Sequence, residues 1–141
     1  MDIQKILGDA ILSAESDAIV VADKEGAIVF WNPGAERIFG YSRADVVGRS
    51  LDIIIPPRLR KRHWVGYRQV MQSGESRYGH GDVLAVPGIT MEGKGISLEF
   101  MIIPLRVEAG ELIGLAAIMR DVTRRFEETR ALKQSLSEVT K

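Results

Sequence analysis

Cysteine is absent from the 141 residues, which excludes disulfides, thiolate metal sites, cysteine nucleophiles and cysteinyl–flavin photochemistry. Histidine is scarce. His63 and His80 stand seventeen residues apart, with only Asp82 as a carboxylate at short spacing, a poor frame for zinc. No G-x-S-x-G elbow occurs. Gly79-x-Gly81 is followed by neither a lysine nor a helix start, so it is not a phosphate loop. Net charge is missing too: 19 basic and 19 acidic residues cancel, leaving no global field to draw nucleic acid or anionic lipid. The basic run from Arg58 to Arg62 reads as a solvated helix start. No apolar run approaches the ~20 residues that span a bilayer, and Met1-Asp2-Ile3-Gln4-Lys5 lacks a signal-peptide pattern. The expectation is a soluble cytoplasmic protein that is not an enzyme, with neither nucleic acid nor membrane as partner.

What is present is enough apolar residue, 45%, to fill the core of one domain. Ile3, Ile6, Leu7, Ala10 and Ile11 form one helical stripe, with Asp2, Lys5 and Asp9 opposite. A helix this short needs a packing partner, either the domain's own sheet or a second copy of the chain. Ala18–Ala22 and Ala27–Trp31 are β-branched and aromatic runs around the turn Asp23-Lys24-Glu25-Gly26, which predicts an antiparallel hairpin. Asn32-Pro33 supplies a helix cap and a first-turn proline, and Gly40 a stop. A second helical turn starts at Ser42 and closes at Gly48. After Pro56-Pro57 a helix of three to four turns is predicted from Arg58 to Met71, ending near Gly74. Tyr78 to Val86 is the least clear strand, with Gly79 and Gly81 inside it and Pro87-Gly88 as its end. Ile96, Leu98, Phe100 and Ile102 alternate onto one face of the next strand. Val107 to Glu111 reads as a hairpin turn, and Leu112 to Met119 as an apolar strand.

Helices grouped between two blocks of strands predict an α+β domain, an antiparallel sheet covered on one face. Past Asp121 the chain becomes charged and runs to Lys141 without Gly or Pro, with Glu127-Glu128 in a solvated stretch. There Thr129, Leu132, Leu136 and Val139 make a short heptad-like seam. The division is an N-terminal flanking helix over 1–14, a domain over 15–123, and a C-terminal signalling or coiled-coil helix over 124–141.

With these segments in order, the chain resembles the PAS domain family. Asp17 to Gly26 is similar to the opening PAS hairpin. Phe30 to Ser42, with Asn32, Ala35, Gly40, Tyr41 and Ser42, is similar to the helix entry that follows it. Val47-Gly48-Arg49-Ser50 and Ile55-Pro56 fit the next helices, and Gly114 to Asp121-Val122-Thr123 the last strand and its exit. The resemblance implies a five-stranded antiparallel sheet of order 2-1-5-4-3, with short helices on one face forming a pocket. It also implies a sensory role in signal transduction, as in two-component systems: a homodimer through the N- and C-terminal helices that signals to a downstream effector.

The resemblance extends to one pocket residue. Ile55 to Trp64 is similar to the haem-binding oxygen-sensor PAS domains, whose axial histidine lies seven residues after a proline, and His63 stands seven after Pro56. That implies haem b ligated by His63, gas or redox sensing, and Tyr67, Val70, Met71, Phe100, Ile102, Leu115 and Ala117 as ring contacts. The same apolar residues equally suit an ordinary core, so a cofactor-free dimerisation module stays open. The distal groups of those sensors are missing: Val83 or Leu84 stands where one branch has arginine, and Gly81 near where another has methionine. The far side of such a haem would then be apolar and five-coordinate, or ligated by another group such as His80 or Met91. A third alternative is flavin, flanked by Trp31 and Trp64 with Asn32 on its edge.

Overall fold

The structure, a computed structural model, describes residues 1–75 and 84–139. Tyr78, Gly79, His80, Gly81, Asp82 and Val83 lie outside the described residues. So do the readings placed on them: the start of the unclear strand, a distal ligand at His80, and the Val83 position.

Helix α1 spans Ile3–Leu12, with the Asp2 carboxylate accepting from the Lys5 amide at its start. Strands β1 (Ala18–Asp23) and β2 (Ile28–Trp31) form the expected antiparallel hairpin. Its register slips by one residue between Val21 and Ala22. That slip lets Ile28 and Trp31, three apart, both be buried while Val29 is exposed. Helix α2 (Pro33–Phe39) follows, capped by Asn32, and α3 (Arg43–Val46) is capped by Ser42. Two 3₁₀ turns, Leu51–Ile54 and Pro57–Leu59, lead into α4 (Arg60–Ser73). Strands β3 (Leu84–Ile89), β4 (Gly95–Arg106) and β5 (Leu112–Asp121) complete the sheet, and α5 (Thr123–Val139) leaves it.

The sheet is antiparallel in the order β2-β1-β5-β4-β3, as the resemblance implied. Its inner face presents Val20, Leu98, Met119 and their neighbours to α2, α3 and the first 3₁₀ turn. Trp31 and Phe39 are the largest fully buried side chains, with ring centroids 5.5 Å apart. Burying an aromatic or large aliphatic side chain of this kind stabilises by roughly 1.5–3 kcal/mol, so this cluster anchors α2 to the sheet.

One strand boundary differs from expectation. Pro87 and Gly88 do not end β3 but lie inside it, paired with Ser97 and Ile96. Because β3 is the sheet's edge, a proline there is tolerated where a central strand would lose a ladder bond. Gly88 allows a close approach: a Cβ there would sit 2.6 Å from Leu98 Cδ1, and the end of that leucine would have to shift.

The stripe on α1 is largely uncovered: Ile3, Ile6, Leu7 and Ile11 are exposed. The C-terminal end of the helix lies beside the sheet. There Ile11 and Leu12 border a shallow apolar groove on the outer face with Ile19, Val21, Phe30 and Ile118. On α5, Leu132 and Val139 are exposed as well. Among the described residues no helix is long and apolar enough to cross a membrane.

Candidate functional site

Between the inner face of the sheet and α4 lies a cavity of about 150 Å³. The sheet, the first 3₁₀ turn (Leu51 and Ile54) and α4 close it. From the sheet come alternate residues of β1, β4 and β5, including Leu98, Phe100, Ile102, Leu115, Ala117 and Met119. Register makes them neighbours: Phe100 opposes Met119, and Ile102 opposes Ala117. From the other side, α4 contributes His63 and Tyr67, one helical turn apart.

Helix α4 is tied down at three points. The Tyr67 hydroxyl donates to the Asp23 carbonyl oxygen at 2.5 Å. Trp64 Nε1 donates to Asp52 Oδ1 at 2.7 Å, and Arg60 Nε to the Ile55 carbonyl oxygen at 3.0 Å. His63, Trp64 and Tyr67 pack as an aromatic group, with centroids 4.6 Å apart for the first pair and 5.3 Å for Trp64 and Tyr67. Burial pushes the Tyr67 phenol well above its ordinary pKa, helped by the Asp23 and Glu25 carboxylates. The hydroxyl therefore stays a proton donor at any physiological pH.

His63 is the polar feature of the wall. Its Nδ1 is buried without a hydrogen-bond partner among the described residues. Burial lowers its pKa from the ordinary 6.5, with the Asp52 carboxylate pulling weakly the other way. The imidazole is thus neutral at pH 7. The sign of the linkage follows. Below about pH 6.5 the unfolded chain protonates this histidine while the folded domain resists, so the unfolded state binds more protons and stability falls on acidification. Melting temperature is expected to drop as pH falls from about 6.5 toward the lowered folded value. His63→Leu should flatten that part of the profile; an unchanged profile in the variant would remove His63 as its source.

Of the residues expected at a pocket, the structure brings His63, Tyr67, Phe100, Ile102, Leu115 and Ala117 to one cavity. Val70 and Met71 are not on its wall. They lie almost a turn beyond Tyr67 and pack on Ala22, Tyr67 and Leu115. Met91 is exposed in the turn before β4, where its amide donates to the Phe39 carbonyl oxygen, and it does not line the cavity. Trp31 and Trp64 do not line this cavity. Trp31 is core, with its Nε1 donating to the Tyr41 carbonyl oxygen, and Asn32 spends its whole amide on backbone. Residues missed from sequence include Leu51, Ile54 and Val86. Leu98 was marked by the alternation along β4 but not assigned to a pocket.

Whether these residues fit haem divides into two parts. The donor fits: a neutral imidazole on a rigid helix is a common iron ligand, and the walls are apolar. The volume does not. Ligand pockets usually begin near 300 Å³, and about 150 Å³ holds one ring of benzene size, not a macrocycle of four pyrroles.

The cavity wall also touches the exit of the domain. Leu98 lies between Ser97 and Glu99, and both hold α5. Thr123 Oγ1 accepts from the Ser97 amide at 2.9 Å and itself donates to Asp121 Oδ1; the Val122 amide donates to the Ser97 carbonyl oxygen. Arg125 pairs with Glu99.

The comparisons with known proteins agree with this architecture. The family model described as the PAS fold matches residues 12–127. The signal transduction histidine-protein kinase AtoS of Escherichia coli is 27% identical over 133 residues, 93% of this chain and 20% of its own length. The oxygen sensor protein DosP of the same organism is 34% identical over 58 residues, 41% of this chain and 7% of its own length. The crystal structure of a PAS domain from Colwellia psychrerythraea superposes with a TM-score of 0.75 at 25% identity, covering 87% of this chain and 99% of that one. The chain spans between 7% and 24% of the length of four curated relatives that it matches. With the family model covering most of the chain and the sheet in the order 2-1-5-4-3, this chain belongs to the PAS family.

Proposed function

We propose that this PAS domain is a sensory input module whose cavity beside His63 receives a small ligand and whose α5 relays the bound state to an effector. One observation carries the reading: a largely apolar cavity between the sheet and α4 that is lined by His63, a histidine whose buried Nδ1 has no partner among the described residues. The relay is supported by Leu98, which lines the cavity while its chain neighbours Ser97 and Glu99 hold the start of α5. A ligand acts through this path only if it binds two arrangements of the sheet and α5 with different affinity. Similarity to AtoS over 93% of this chain supports a kinase-type signalling context.

Haem b on His63 is the second reading, favoured by the neutral imidazole and by similarity to an oxygen sensor protein. It requires the cavity to widen. Titration with haemin decides between the two. A sharp Soret band that His63→Ala abolishes, with far-UV circular dichroism unchanged, would establish haem. A spectrum that stays that of free haemin would remove it and leave the small-ligand reading.

The module acts as a homodimer through its flanking helices. The exposed apolar stripe of α1 and the exposed Leu132 and Val139 of α5 support this. Light scattering is expected to show weaker self-association for a chain ending at Thr123 than for the full chain; equal association would take α5 out of the interface.

A further inference from the structure

Taking the sensory-pocket reading above as its basis, we infer that the cavity selects a neutral single-ring ligand bearing one hydroxyl, a phenol-like molecule. Size sets the first limit. An apolar cavity of about 150 Å³ accepts a guest of benzene size. Charge sets the second. No Lys, Arg, Asp or Glu lines the cavity among the described residues. A carboxylate guest would therefore lose its hydration with no cation to receive it. Polarity sets the third. The Tyr67 hydroxyl proton is committed to Asp23, whereas His63 Nδ1 is buried without a partner. His63 lines the cavity but its Nδ1 is covered, so the ring must turn slightly toward the cavity for a guest to reach it. A neutral imidazole offers one donor and one acceptor nitrogen, which a guest hydroxyl can then satisfy and a plain hydrocarbon cannot. The ring itself meets Phe100 and aliphatic walls suited to an aromatic face and edge.

The test uses the full 141-residue chain labelled with ¹⁵N-histidine, titrated by NMR with phenol, benzene and benzoate. Phenol is expected to bind saturably, shift the His63 ring nitrogens, and bind about five- to tenfold more tightly than benzene. Benzoate should bind at least about tenfold more weakly than phenol. His63→Leu is expected to bring phenol down to the level of benzene while benzene binding persists. Ala117→Leu, which fills the cavity from β5, should abolish both. If that variant does not give a dispersed spectrum, Ala117→Val serves in its place and should weaken both. Benzoate equal to phenol, or phenol preference surviving in His63→Leu, would overturn the ligand class and leave the pocket as a ligand site. Failure of every probe, benzene included, would overturn the sensory-pocket reading with it.

Discussion

Replacing Asn32 with alanine is expected to cost about 3–5 kcal/mol of folding stability, a large share of what a domain this size possesses. The reason lies in how completely one amide is used. Asn32 is 1% exposed. Its oxygen accepts from the Ile19 amide at 2.7 Å and from the Ala35 amide at 2.9 Å. Its nitrogen donates to the carbonyl oxygens of Asp17 at 3.0 Å and Ala14 at 3.1 Å. Four backbone groups from the α1–β1 connection, β1 and α2 converge on a side chain that alanine deletes, and two of them are amides left without an acceptor. Asn32→Ser should recover about 1 kcal/mol, because serine can still cap α2 but cannot reach the rest. Urea denaturation of the three proteins measures both differences. A loss below about 1 kcal/mol for the alanine variant would mean that solvent replaces these bonds and that Asn32 is only a helix cap.

Asn32 also shows where the sequence was readable and where it was not. Its role as cap of α2 follows from Asn-Pro before a helical pattern, a signal confined to a few residues. Its grip on Ala14, Asp17 and Ile19 joins groups 13 to 18 residues away, and nothing local announces it. The hairpin, α2 and β5 were legible for the same reason as the cap: period, turn chemistry and stop signals all lie inside the segment. Strand order was not local, and came from the resemblance of the ordered segments to a family. Strand β3 misled because Pro87 and Gly88 punctuate most strands, but an edge strand tolerates both. His63 could be placed on α4 because it falls within the helical pattern from Arg58 to Met71; its distance to Pro56 carried only the resemblance to haem-binding sensors. Its unpartnered nitrogen and the small volume beside it depend on where β1, β4 and β5 stand, which no spacing encodes.

The turn that begins the sheet holds α4 through a contact equally invisible in sequence, and a double-mutant cycle should expose it. Gly26 adopts φ +83°, and a Cβ built on it would lie inside the indole of Trp64. Gly26→Ala therefore carries two penalties. The left-handed backbone costs an alanine roughly 1 kcal/mol, and the indole must leave a seat fixed by its bond to Asp52, for a total of about 3 kcal/mol. In a Trp64→Ala background only the backbone cost remains, so the same substitution should lose about 1 kcal/mol, a coupling of about 2 kcal/mol. Because Trp64 packs against His63 and Tyr67 on the same helix, moving it in Gly26→Ala should also disturb the cavity wall. Guest binding is then expected to weaken in parallel with stability. Additive losses would mean that the indole yields without resistance and that the turn does not hold α4. Strong coupling with unchanged guest binding would mean that the contact fixes the fold but leaves the cavity's shape to Tyr67 and the bond it donates to Asp23.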